Sequence, residues 1–278
     1  NKQALDSLIR CGALDSLGLN RRQMLEYQEQ VLMDCREERS SIVTGQMNLF
    51  GGESEAVRET PIPSLPELER SALLQLEHES LGLYLSGHPL EQSQWLRQLC
   101  RATPAAALSE QPDGGKVLLI VTLQHVKQHT TKKGETMCFL TCEDQSGSAD
   151  CVVFPALYNS VKPYLQQDAV LYLRGKISQK ENAVSVLCDS VLQEEAFFRT
   201  LPQGRLCVKI DSRQTAELQQ LLAVIGQHVG NVPVCFYLTD RKKMLSPRGG
   251  QAVAVNSESY AALCAVVSPE QVGFLPPA

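Results

Sequence analysis

Apolar and polar residues alternate with two different periods along this chain, and the change of period divides it. Between Lys116 and Leu192 the chain reads as short β-rich runs, one of them, residues 117–126, largely apolar and another, residues 137–142, alternating between two faces as strand side chains do. Five strands are predicted there, over residues 117–126, 136–143, 149–154, 169–177 and 183–192, with a helix-capable piece at 155–164 between the third and fourth. Lys132-Lys133-Gly134 and Asp144-Gln145-Ser146-Gly147 supply turns before the second and third strands.

Upstream the period is helical. Residues 1–17 place Leu5, Leu8 and Ile9 on one face, with Gly12 positioned to end a first helix. Asn20 caps a second, over 21–39, whose inward positions read as Met24, Leu25, Gln28, Val31, Leu32 and Cys35. From 40 to 66 the periodicity is lost among glycines, prolines and acids, which predicts a linker. A third helix is expected over 67–85, with Leu68, Leu73, Leu76, Leu81 and Leu83 apolar, Glu67 suiting its dipole and Ser86-Gly87-His88-Pro89 stopping it. A shorter one follows at 90–100 with Trp95 and Leu96 inward. Beyond Leu192 come strands at 206–210, 232–238 and 253–255, helices at 215–225 and 257–266, a basic loop at 240–250 carrying Arg241, Lys242, Lys243 and Arg248, and a frayed end at 276–278. The stretch 215–274 is expected to fold as a module.

Five strands with a helix between the third and fourth is the order of an OB-fold barrel. In its second strand Cys138, Leu140 and Cys142 face the core, and Met137, Phe139 and Thr141 face outward. The loop expected from His125 to Glu135 carries Lys127, Lys132, Lys133 and two histidines against one acid. In OB-folds this loop and the one between strands four and five flank the binding groove. Lys127, His129, Lys132, Lys133, Met137, Phe139 and Phe154 are therefore the candidate nucleic-acid contacts: lysines for phosphates, aromatic rings for bases. A lysine hairpin is equally at home as a solvated surface turn. The fold class is α+β multidomain: a helical segment of helix-hairpin-helix type at 1–40, a linker at 41–66, a helical connector at 67–115, the barrel at 116–192 and a small α+β C-terminal domain at 201–278.

A net charge of −5 over 278 residues excludes a globally basic binder, so contact with nucleic acid has to be local. A hydrophobic content of 43% supports packed cores. The ten cysteines form no Cys-x-x-Cys and read as reduced thiols, not as disulfides or a zinc site. No apolar run is long enough to span a membrane. The chain opens at Asn1, inside a helical pattern, and is expected to be a piece of a longer protein. His88 has no nucleophile or carboxylate beside it in sequence and reads as structural.

One apolar island breaks the linker: Gln46-Met47-Asn48-Leu49-Phe50. The residues alone leave two readings open, a peptide that docks into a partner's pocket and a pair that folds back onto its own domain.

The motifs converge on one family. Leu81-Gly82-Leu83-Tyr84-Leu85-Ser86-Gly87-His88-Pro89-Leu90, then Thr131-Lys132-Lys133-Gly134-Glu135-Thr136-Met137, and the Glu143-Asp144 and Ser146-Gly147 pairs resemble the C-terminal third of the alpha subunit of bacterial DNA polymerase III, a C-family replicative polymerase. The stretch from Leu8 to Gly18 is similar to the end of that family's tandem helix-hairpin-helix region. Gln46 to Phe50 resembles its sliding-clamp-binding peptide, with Met47 and Asn48 departing from the commonest residues. The resemblance implies single-stranded template DNA, the sliding clamp and the clamp-loader subunit tau as partners, and a bacterial cytoplasmic location. No Asp-x-Asp pair occurs, so it implies that the palm aspartates are absent and that this piece is inactive alone. The parent would be a DNA-directed polymerase using Mg, and no cofactor is expected in this piece. Two other classes fit the same barrel. One is a tRNA anticodon-binding module, which would prefer RNA and precede a class II catalytic domain. The other is a protein-only scaffold.

Overall fold

A computed structural model of the chain describes residues 1–43, 62–180, 183–247 and 249–277. It forms two compact units, Asn1–Pro89 and Leu90–Ala278. The division falls inside the stretch 67–115 expected to be one connector, because its helices belong to different cores.

In the first unit α1 (Lys2–Arg10) and α2 (Arg21–Val43) pack as a hairpin with α3 (Arg70–Leu81). Gly12 ends the first helical segment at φ +78°, and a Cβ there would lie 2.2 Å from the Arg21 guanidinium. Asn20 and Gln23 cap α2 reciprocally: the Asn20 side chain accepts from the Gln23 N–H at 2.8 Å, and Gln23 Oε1 accepts from the Asn20 N–H at 3.1 Å. Glu67 does not serve its own helix; its carboxylate accepts the Arg21 and Arg22 N–H groups at 3.0 and 3.2 Å. Cover changes along the described part of α2. Met24 and Gln28 are buried, whereas Val31 and Cys35 are exposed, contrary to the inward face expected of them. The third helix is shorter than its apolar run: Gly82, at φ +72°, closes it before Leu83. Leu74 is its buried leucine, while Leu81 and Leu83 are exposed.

Glu77 is fully buried and organises the segment after α3. Its carboxylate accepts the Leu85 and Ser86 N–H groups at 2.8 Å each, takes the Ser86 hydroxyl, and pairs with Arg21 at 2.9 Å. His78 stacks on Tyr84 at 4.7 Å and Tyr84 meets His88 edge-on at 5.5 Å. The part of the motif from Leu81 to Pro89 is thus built around one buried carboxylate and a ladder of three rings that includes His88.

In the second unit β1 (Lys116–Thr130), β2 (Thr136–Asp144), β3 (Gly147–Val153), β4 (Val170–Lys180) and β5 (Ala183–Leu192) close a barrel in the order β1-β2-β3-β5-β4. β3 and β5 are parallel and the other pairs antiparallel. Leu119, Val121, Leu123, Cys138, Leu140, Cys142, Leu171 and Val186 fill it. α5 (Pro155–Val161) contributes Tyr158 and Val161 to the same core. Closure depends on Gly175: a Cβ there would sit 2.3 Å from the Leu187 carbonyl oxygen on β5. Asp144 ties the turn into β3, accepting from the Ser146 and Gly147 N–H groups at 2.8 and 3.2 Å and from Ala105 N–H at 3.2 Å, with Arg97 paired to it.

α4 (Gln94–Cys100) and α6 (Glu194–Phe198) flank the barrel, and a second sheet comes next. It is built from β6 (Arg205–Ile210), β7 (Val229–Leu238), β8 (Lys243–Leu245), β9 (Ala252–Val253) and β10 (Val272–Leu275), with α7 (Thr215–Gln227) and α8 (Ser257–Val266) against it. The main path runs β10-β6-β7-β8, and β9 pairs with β7. β8 lies inside the expected basic loop, whose Arg248 is outside the described residues. β10 lies in a stretch between the last expected helix and the expected frayed end, where no strand is expected. The expectation of an independent 215–274 module is corrected by the core. Leu96 and Leu99 of α4, Ile120 and Tyr172 on the barrel's outer wall, and Phe197 share one apolar cluster with Val208, Leu221, Phe236 and Leu263. Excision before Leu201 would strip that cover.

Candidate nucleic-acid interface

The expected loop from His125 to Glu135 is mostly strand. β1 runs on to Thr130 and pairs with β2 from His125↔Thr141 to Thr130↔Thr136, so Lys127 and His129 stand on a ladder. Val126 and Thr130 suit extended backbone, and the turn is tight enough to carry the pairing outward. Thr131 N–H donates to the Glu135 carbonyl at 2.8 Å and Gly134, at φ +80°, donates to the Thr131 carbonyl at 2.9 Å. The register shifts between Leu123 and His125, and all six residues from His125 to Thr130 are exposed. A bulge at that point turns a barrel strand into a hairpin arm.

The register assembles one face. Lys127 lies opposite Phe139, and Phe139 opposite Val152. His129 lies opposite Met137, and one further step of the β2–β3 register brings Met137 level with Phe154. Directly opposite residues project to the same side. Five of the predicted contacts, Lys127, His129, Met137, Phe139 and Phe154, are therefore neighbours, and Lys132 and Lys133 sit at the tip of the same arm. Phe139 is 42% exposed and Phe154 46%, high values for phenylalanine beside a packed barrel. His129 meets the Phe139 ring edge-on at 6.2 Å between centroids. Phe154 directly follows the last residue of β3 and is the N-cap residue of α5, still in extended backbone.

Three residues on this wall, Val152, Leu187 and Lys176, are not singled out by the sequence. Val152 pairs with Leu187 across the parallel β3–β5 ladder, and Leu187 with Lys176 on β4. The band Lys127, Phe139, Val152, Leu187, Lys176 therefore runs around the barrel, apolar in the middle and basic at both ends. Alternation marks Leu187 as outward, but only the non-local pairing of β3 with β5 places it beside Val152. Asp150 bounds the band on one side, where it accepts from the Thr141 hydroxyl at 3.4 Å. Lys127, Lys132 and Lys133 form no ion pair among the described residues, so their charge is directed to solvent.

The interior thiols take no part in this surface. Burial pushes Cys138 up to about 11, and Cys151 and Cys188 are raised as well by contact with neighbouring thiols together with burial. Such thiols are poor nucleophiles at neutral pH. What the face offers is unneutralised positive charge beside accessible aromatic rings, a surface for binding. The apolar island Gln46, Met47, Asn48, Leu49 and Phe50 lies outside the described residues.

Comparison with known proteins places this geometry. Residues 117–193, the barrel, match a family described as an OB-fold nucleic acid binding domain. Among curated relatives, DNA polymerase III subunit alpha of Thermus aquaticus is 31% identical over 84% of this chain and 19% of its own length. The corresponding subunit of Bacillus subtilis is 29% identical over 88% and 22%, and that of Saccharopolyspora erythraea 27% over 94% and 22%. The chain thus spans about a fifth of the length of these relatives. Similarity along most of the chain, to the same subunit in these distant bacteria, carries the conclusion that it belongs to the DNA polymerase III alpha-subunit family, with an OB-fold barrel at its centre.

Proposed function

We propose that the barrel holds single-stranded template DNA for a replicative polymerase, without reading its sequence. The observation that carries this is the juxtaposition of Lys127 with Phe139 and of His129 with Met137 on the hairpin arm. Lysines without carboxylate partners attract phosphates at any sequence, and exposed rings stack on any base. A single strand can present both phosphates and open bases to such a face, whereas a duplex keeps its bases stacked inside. In this reading the chain is the non-catalytic, template-handling part of the alpha subunit, and polymerisation with Mg belongs to the parent's palm. An anticodon-binding use of the same barrel would show as preference for RNA.

The charge contribution is tested at the tip of the arm. Lys132→Ala with Lys133→Ala in the full chain should weaken binding of labelled oligothymidylate and reduce the slope of log affinity against log salt by about 1.4, two phosphates at about 0.7 each. An unchanged slope would remove the arm from the interface.

Gln46 to Phe50 is proposed to dock on a ring-shaped sliding clamp, with Leu49 and Phe50 filling an apolar pocket and Gln46 bonding at its rim. Burying each apolar side chain contributes roughly 1.5–3 kcal/mol, part of which is offset by ordering the segment. Moderate affinity suffices, because a strand held on the barrel makes clamp rebinding effectively intramolecular. Leu49→Ala with Phe50→Ala should abolish clamp binding in an isotherm while leaving oligonucleotide affinity unchanged. Retained clamp binding would contradict the assignment. The C-terminal α+β region is proposed, as a whole, to contact the clamp-loader subunit tau.

A further inference from the structure

A cleft of about 460 Å³ opens within the second unit, where the outer wall of β1 and β4 meets the C-terminal sheet. Arg101, Lys116 and Arg174 line it together with one carboxylate, Asp189, and the rings of Phe197 and Phe274. The two guanidinium groups are held by neutral partners. Arg101 Nη2 donates to the Glu270 carbonyl at 3.3 Å, and its side chain lies across Gly273, where a Cβ would come 3.7 Å from Nε. Arg174 lies 5.3 Å from the centroid of the buried Phe197 ring and its Nη2 is 3.5 Å from the Thr200 hydroxyl. Both are oriented, and neither forms an ion pair among the described residues. Lys116 stands directly opposite Lys176 in the β1–β4 register. Like charges facing each other across a ladder are unfavourable, and an anion between them relieves the repulsion.

We propose that this cleft is a second phosphate-binding site, taking the backbone of a nucleic-acid strand that also lies on the barrel face. The proposal rests on the strand-binding reading of that face and extends it. Continuity favours a nucleic acid over an acidic peptide. The band that starts at Phe139 passes through Val152 and Leu187 to Lys176, and Lys176 is the cross-strand neighbour of Lys116 at the cleft. Four interstrand steps separate Phe139 from Lys116, about 19 Å along the wall at about 4.8 Å per step. Phe197 and Phe274 are buried beneath the cleft, so it presents charge without an open ring for a base.

The test uses the full chain and 5′-fluorescein oligothymidylates of about 6 and about 20 nucleotides, lengths that fall within and beyond a single barrel's site. The wild type should bind the long strand more tightly than the short one. Arg101→Ala with Lys116→Ala should lower long-strand affinity by about tenfold and its salt slope by about 1.4, leaving the short strand unaffected. Both side chains are exposed, so the melting temperature should not move, and Lys116→Arg should keep the long-strand advantage. An unchanged long-strand affinity or slope in the double variant would overturn the proposal. So would displacement of the long strand by a polyaspartate peptide that ceases in the double variant. If the wild type fails to bind the short strand, the barrel-face reading is what fails; the cleft is then judged by the long strand alone.

Discussion

Glu77→Ala should destabilise the Asn1–Pro89 unit by about 3–5 kcal/mol, the cost of leaving a buried charge without its partner. The group left behind is Arg21, whose side chain is only 6% exposed. Asp15, at 2.8 Å, is its remaining carboxylate and is half-exposed. The substitution also orphans the Leu85 and Ser86 N–H groups, which fix the chain after α3. Denaturant unfolding should show the loss in the transition assigned to this unit, with oligonucleotide affinity unchanged. Acid titration adds a sign. Burial raises the Glu77 carboxyl, but the hydrogen bonds from Ser86, Leu85 and Arg21 outweigh it and hold the group below its ordinary value of 4.5. A lowered folded value means that its stabilisation is complete above about pH 4.5 and is lost as pH falls further. Wild type should therefore lose stability on acidification more steeply than the variant, and parallel acid limbs would deny the carboxylate this role.

Phe139→Ala should cost about 1–3 kcal/mol of single-strand affinity, a factor of roughly 5 to 150, because the ring supplies stacking that no neighbour replaces. Its salt slope should stay that of wild type, since no phosphate contact is removed. The ring projects from a strand whose core face is held by Cys138 and Leu140, so folding should be unaffected. The contrast with the Lys132 and Lys133 pair is diagnostic. One variant changes affinity without slope, and the other changes both. A Phe139→Ala protein that binds like wild type would leave only the charge contribution on this face.

Much of the barrel was legible because β2 alternates strictly: Cys138, Leu140 and Cys142 go inward, and the polar and aromatic residues between them go outward. The limits of β5, α8 and the start of α7 follow from the same local rules. What was not legible depends on distant partners. The end of α3 is set by Gly82, but Leu83 and Leu85 continue the apolar pattern past it and extend the expected helix. Glu67 looks like a helix-dipole residue for α3 and instead caps α2, a choice made by tertiary packing. β10 is four residues with Gly273 inside, too short to announce itself; it exists because β6 offers an edge. The shared core had one local sign. Residues 117–121 are apolar without alternation, as expected of a strand covered on both faces. At the candidate site, the lysines and Phe139 were readable as types, whereas their adjacency is a matter of register. Lys176 and Leu187 needed the parallel β3–β5 pairing, which no short-range pattern encodes.

The central claim, that the barrel face holds single strands through phosphates and stacked bases, is tested most directly by titrating the full chain with a labelled oligothymidylate and with a duplex of equal length over a series of salt concentrations. Preferential binding of the single strand, weakening steeply as salt rises, is the predicted result. Tight duplex binding with no affinity for the single strand, or binding indifferent to salt, would contradict it.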